Sequence, residues 1–307
     1  MYSHSFRSKV VSGSFTLPVM AIATLLLWPA RGAFDWTMWV GLLLTGCTTY
    51  VVMELNNRFA LLRIRSRLVS STYLLFMAVM PALHAWHPRQ LCTLCFALSY
   101  AMLFSVYQRV RAEGYVFHAF LFMGAGSMLF PPMLVLAFLF YFSLIFQLRN
   151  FGWRIFMAGL LGLLVPYWFR LAYALTTHTL ATSFDFLLAY TRYEVPDYGS
   201  VSWLQWTNVG VVGLLGWLGL CHFLRTAYND KIRTRMLFYV VVTQQLALTA
   251  GVALLPAHLD VLLALLILNS SLLAGHYYAV GKGRFFDAWF NVSLLLVVAL
   301  GVVNYVF

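Results

Sequence analysis

Charge is what this chain of 307 residues most lacks. Asp and Glu number nine, and all charged residues together make up 9%. A soluble domain is roughly a quarter charged, so this chain cannot coat a water-exposed surface. Soluble globular and disordered classes are thereby excluded. Four cysteines are too few for a disulfide scaffold, and twenty glycines too few for collagen. Catalytic signatures are missing as well. There is no H-E-x-x-H, no phosphate-cradling glycine loop and no G-x-S-x-G. The eight histidines do not cluster as intramembrane iron ligands would. No acid sits clearly at mid-membrane, which argues against an ion-coupled carrier. Neither a catalytic residue, a cofactor nor a resident metal is expected.

What the chain has is apolar length. Hydrophobic residues make up 62% and aromatics 17%. A helix needs roughly 20 apolar residues to cross the hydrocarbon core. Eleven runs qualify: 15–30, 36–55, 68–86, 90–107, 115–130, 132–148, 155–176, 203–224, 236–255, 258–280 and 287–307. The runs are continuous rather than alternating, which selects helices over a β-barrel. The fold class is therefore all-α, a single polytopic transmembrane bundle over 1–307 with about eleven spans.

The basic residues act as a ruler. With the N-terminus in the cytoplasm, Arg7, Lys9, Arg58, Arg63, Arg65, Arg67, Arg109, Arg111, Arg149, Arg154, Arg225, Lys231, Arg233, Arg235, Lys282 and Arg284 all fall inside. Only Arg31, Arg89, Arg170 and Arg192 fall outside. Basic loops stay cytoplasmic, so the expected topology is N-terminus in and C-terminus out. The net charge of +11 then reflects topology, with attraction to anionic lipid as a sharper reading. No nucleic-acid groove is indicated. The weakest joint is Phe130-Pro131-Pro132, where two short spans meet. The N-terminal Arg7, Lys9 and Phe15–Trp28 pattern resembles a signal peptide. A poor cleavage region around Arg31 leaves it as an uncleaved first span.

The one long hydrophilic stretch, 177–202, falls on the outer side. Ser183 is placed to cap a short surface helix reaching about Tyr193, with Phe184, Leu187 and Leu188 on one side. Intramembrane polar residues are functional candidates by default. Gln244, Gln245, Asn269 and Ser270 fall at mid-span, with His276 about two turns further along. They either tie helices together or line a polar path. Arg170 with His178 and Arg192 forms a candidate outward-facing anion site. Its plain alternative is a snorkelling arginine.

Cys92 and Cys95 form a C-x-x-C at the outer mouth of a span, just after His84, His87 and Arg89. The local pattern looks like that of quinone-linked disulfide-generating membrane proteins. Those need a second outer cysteine pair. Here Cys47 is read as buried in span two and Cys221 as lying near an inner end. Two small buried hydrophobes and a zinc site with His84 and His87 are the competing readings.

Five segments carry a family resemblance. They are Phe15-Thr16-Leu17-Pro18, Leu55 to Leu62, Leu129-Phe130-Pro131-Pro132, Gly162 to Phe169, and Asn269 to Tyr278. Together they resemble a family of polytopic inner-membrane proteins of Bacteroidota. The resemblance implies a multi-pass location in the bacterial inner membrane and no particular activity, so no functional residue is carried over. The leading expectation is a non-catalytic subunit or scaffold of a cell-envelope assembly, with membrane lipids and other envelope proteins as partners. The alternatives are a carrier or transferase for a polyprenyl-linked or other anionic lipid, and a thiol-disulfide oxidoreductase using Cys92 and Cys95.

Overall fold

The structure is a computed structural model that describes residues 5–29, 35–64, 66–179, 183–189 and 196–307. Among the described residues the regular structure is helical, with thirteen α-helices and no strand. An apolar solvent offers backbone groups no partner, so a chain this apolar closes its hydrogen bonds within helices.

In chain order the helices are α1 (Phe6–Ser12), α2 (Thr16–Leu27), α3 (Trp36–Phe59), α4 (Leu68–Ala78), α5 (Pro88–Phe104), α6 (Glu113–Ser127), α7 (Met133–Phe146), α8 (Trp153–Thr176), α9 (Asp185–Ala189), α10 (Trp203–Thr226), α11 (Ile232–Leu254), α12 (Leu259–Val280) and α13 (Arg284–Val306). Six are long and apolar enough to cross a membrane: α3, α8, α10, α11, α12 and α13. At about 1.5 Å per residue they match a core of about 30 Å. Helices α1 and α2 meet at a bend of 93° and together pass the same test.

Five of the eleven expected spans are shorter helices than the sequence pattern suggests. They are α2 with 12 residues, α4 with 11, α5 with 17, α6 with 15 and α7 with 14. Proline explains most of the shortening. Helix α4 stops ahead of Pro81, which disfavours helical geometry at Met80. A 3₁₀ turn, Pro81–Leu83, follows. Pro88 opens α5, where His87 and Gln90 form a reciprocal cap. Pro131 and Pro132 split α6 from α7, so that joint is two helices and not one kinked element. Within 177–202 the helix among the described residues is α9, and Ser183 donates its hydroxyl back to the Thr179 carbonyl at 2.7 Å. The expected end near Tyr193 lies outside the described residues.

Helix α12 is the axis of the bundle. Every residue from Leu262 to Tyr278 is buried, under α4, α5, α10 and α11. A helix apolar all round belongs at such a centre. At the other extreme, α8 packs chiefly on α6. Over its 24 residues only Ile155, Gly159, Gly162 and Ala174 are buried. Close approach depends on small residues, as in lipid-embedded packing generally. A Cβ added at Gly219 of α10 would lie 2.6 Å from the Leu273 carbonyl oxygen of α12.

Contacts between the connections fall into two sets. Arg7 reaches Asp287, Tyr278 and Gly281. Arg63 reaches Asp230 and Thr226, and Asn150 reaches Val106 and Arg109. In the second set, Trp28 joins Met38 and His84, and Trp86 joins Thr37. Arg89 and Gln205 meet Asp260, while Tyr198 bonds to Ala253.

Gly219→Ala should lower stability by about 1–3 kcal/mol, because the added methyl meets backbone rather than a yielding side chain. Gly210→Ala, on the same helix with open space at its Cβ, should be neutral or slightly stabilising. Equilibrium unfolding of the purified protein in detergent checks both.

Candidate functional site

The mid-bundle polar residues predicted from sequence come together. Asn269 donates through Nδ2 to Gln245 Oε1 at 2.8 Å and to the Val241 carbonyl at 3.1 Å. Tyr100 on α5 donates its hydroxyl to Asn269 Oδ1 at 2.6 Å. Gln245 donates to Ser270 Oγ at 3.2 Å. Gln244 faces the other way and donates to the Leu136 carbonyl of α7 at 3.2 Å. Gln244, Gln245, Asn269, Ser270 and Tyr100 are all fully buried. Their donors point at one another and at backbone carbonyls, so the group ties α5, α7, α11 and α12 together. Of the two readings offered by sequence, the geometry is that of interhelical ties.

His276 is not part of that network. It is fully buried near the end of α12, with its ring against Phe238 at 4.5 Å. Its Nε2 lies 3.3 Å from Asp230 Oδ2, an ion-pair distance without hydrogen-bond geometry. The carboxylate's Oδ1 accepts from Arg63 Nε at 2.5 Å. Sequence reasoning named His276 but missed Asp230 and Arg63 as its companions. The available signal was that Asp230 is the lone acid in a run holding Arg225, Lys231, Arg233 and Arg235.

Local structure sets this cluster. Helix α3 ends at Ala60 in the left-handed region, with φ 48°, a conformation that ordinarily favours glycine. Leu61 and Leu62 follow as buried anchors, and the Thr234 hydroxyl bonds to the Ala60 carbonyl at 3.5 Å. The chain reversal presents Arg63 to Asp230, whose side chain is fully buried. Burial works against a charged carboxylate. His276 and then Arg63, at its two oxygens, outweigh that cost and hold Asp230 below the usual carboxylate range.

The outward anion site receives less support from geometry. Arg170 lies with its guanidinium carbon 4.1 Å above the Phe186 ring. His178 is exposed, with φ 55° in the turn after α8. Nothing among the described residues joins these two, and Arg192 lies outside the described residues.

Cys92 and Cys95 are both free thiols. Cys92 is buried, its Sγ 3.7 Å from the Gly126 carbonyl. The histidines that a zinc reading requires are engaged elsewhere. His84 sits between the Trp28 and Met77 carbonyls at 3.3 and 3.0 Å, stacked on Trp28 at 3.9 Å. His87 accepts the Arg89 N–H as a helix cap at 3.3 Å. Among the described residues no group of three or more potential ligands is placed to hold a metal ion. Cys47 is exposed on the outside of α3, which corrects its reading as a buried residue, and Cys221 is exposed on α10.

No family model, curated protein or solved structure matches the chain. Its long apolar helices are those of an integral membrane protein.

Two substitutions separate the roles of the buried groups. Asn269→Leu removes three bonds and should cost about 1–2 kcal/mol of stability. Asp230→Asn leaves Arg63 facing a neutral partner and should cost about 2–3 kcal/mol, discounted because Arg63 is a third exposed. The Asp230 carboxylate is depressed in the folded state, so its contribution is complete above the unfolded pKa of about 3.9. It fades as pH falls through the lower folded value. Unfolding curves should therefore show wild type losing more stability than Asp230→Asn below about pH 4.

Proposed function

We propose that the chain is a multi-pass protein of a bacterial inner membrane that serves as a non-catalytic subunit or scaffold of a cell-envelope assembly. Helix α8 is the docking element. The observation that carries this reading is the exposure of α8. Trp153, Leu161, Leu164, Trp168, Phe169 and Tyr173 are all uncovered along it. Its inner side is fixed to α6 by Gly162 and Gly124, where added Cβ atoms would strike backbone. A rigidly held helix with a broad aromatic face suits a protein neighbour in the membrane plane. The buried amides support the same reading, since they join helices.

Eleven crossing elements, N-terminus in and C-terminus out, complete the proposal. The contact sets support it. Residues of the expected inner connections pair with one another, as in Arg7 with Asp287 and Arg63 with Asp230. Residues of the expected outer connections do likewise, as in Arg89 with Asp260. One-sided pairing at each end is what alternate crossings produce, even where individual helices are short. The inner-membrane location and the Bacteroidota kinship rest on the residues quoted for the resemblance.

A photo-crosslinking residue at Leu161 or Trp168, activated in native membranes, should give a discrete protein adduct. The same probe at Leu295, exposed on α13, should not. Lipid-only adducts at all three positions would remove the scaffold reading. Cysteine labelling from each side should find 225–235 cytoplasmic and Asp197 periplasmic; the reverse would remove the topology.

A further inference from the structure

Beside the Arg63–Asp230–His276 cluster the surface opens into a groove of about 790 Å³. Three separate segments of the chain supply its cations. Arg63 comes from the turn after α3, Arg225 from the end of α10, and Lys282 from the turn before α13. Tyr277 and Phe286 form an aromatic wall, with their rings packed 5.4 Å apart. Among the described residues no acid lines the groove. The nearest relevant one, Asp230, has both oxygens faced by Arg63 and His276. Arg225 and Lys282 are exposed and take part in no ion pair among the described residues.

His222 adds a feature that electrostatic topology does not call for. Its ring stands edge-on to Tyr277 at 5.0 Å and to Phe286 at 5.4 Å. Its Nδ1 is shut off from solvent and has no hydrogen-bond partner among the described residues. The residue itself lines the groove. Two free cations and a third held in place by a buried acid make a complementary set for a tetrahedral oxyanion. The aromatic wall accommodates an apolar substituent on it.

We propose that this groove is a binding site for a phosphate-bearing anion. Arg225 and Lys282 supply the charge, Arg63 is oriented toward it by Asp230, and the His222 ring forms part of the wall. The site lies where α10 and α12 end, at the depth of lipid headgroups in the eleven-span arrangement, so a phospholipid headgroup and a soluble phosphate share its chemistry. The groove does not depend on α8 having a protein partner.

The test uses the purified full-length chain in detergent. Native mass spectrometry reads retention of phosphatidylglycerol against phosphatidylcholine, and calorimetry reads pyrophosphate binding. Arg225→Gln with Lys282→Gln should weaken the bound probe about tenfold or more, as loss of charge-assisted bonds does. His222→Leu should weaken it to a smaller degree. Arg154→Gln, an exposed basic residue away from the groove, should change it less than about twofold, since a single screened surface charge is worth little. If the double variant does not fold, Lys282→Gln alone, at an exposed turn, carries the test. Selective phosphatidylglycerol loss assigns a lipid headgroup; selective pyrophosphate loss assigns a soluble phosphate. An equal drop in Arg154→Gln, unchanged binding in the groove variants, or no binding of either probe by wild type overturns the site. The crosslinking result at α8 is read separately, so failure of one proposal does not imply failure of the other.

Discussion

A polar side chain in a lipid-embedded bundle has only other side chains and backbone for partners, and α12 is where that constraint is most severe. Its middle is buried on every face, yet it carries Asn269, Ser270, Ser271 and His276. Each must be met by a neighbouring group. Asn269 is met by Tyr100, Gln245 and a carbonyl of α11. Ser271 is met by its own helix at Leu268. His276 is met at the bundle's end by an acid brought in from a loop. The neighbours' positions follow from these demands as much as from apolar packing, which is non-directional. Leucine against leucine would permit α12 to rotate or slide against α11. The amide pair of Gln245 and Asn269 does not permit either, because a shift of one residue separates donor from acceptor.

The ends of the bundle obey a related rule. A charge near the membrane surface is tolerated when it can reach water, or when it has a partner that stays with it. Both solutions appear. Arg89 at one end has a carboxylate, Asp260, and a backbone carbonyl, that of Ala82. Arg7 at the opposite end has Asp287 and two carbonyls, which ties α1 to the start of α13 across nearly the whole sequence. Few acids exist in this chain, and several of them are used this way. Scarcity of acid therefore shapes the tertiary structure, because Asp230, Asp260 and Asp287 each fix which basic segment lies beside them.

The sequence pattern disclosed the fold class and the identity of the central polar helices, and the reason is physical. A chain this poor in charge has nowhere but lipid or a core to put continuous apolar runs, and an isolated mid-span amide must find a polar partner there. Helix lengths were less legible. The run 68–86 reads as one span, but Pro81 breaks it after eleven residues, and composition averages over that break. The cluster at Asp230 was hidden for a different reason. Its members lie at positions 63, 230 and 276, on three separate segments with no shared motif, and only folding brings them within bonding distance. Asp230 drew no notice in the sequence because its partners are remote along the chain. The cysteine pair is the opposite case. A C-x-x-C attracts attention by spacing, while the structure shows Cys92 packed against a helix backbone and its neighbouring His84 committed to carbonyls.

The charge ruler and the groove make different demands on the same basic residues. A topological bias requires only that Lys and Arg stay on one side of the membrane. It places no demand on their distances from one another, and mutual repulsion would spread them apart where the chain allows it. Arg63, Arg225 and Lys282 do the reverse. They converge from three segments onto one hollow. Asp230 relieves part of that repulsion through its close contacts with Arg63 and His276. Arg225 and Lys282 have no carboxylate partner among the described residues. Repulsion between like charges at an exposed surface is small and screened within about 10 Å at ordinary salt, so convergence is tolerable without a ligand. It becomes favourable once an anion bridges the cations.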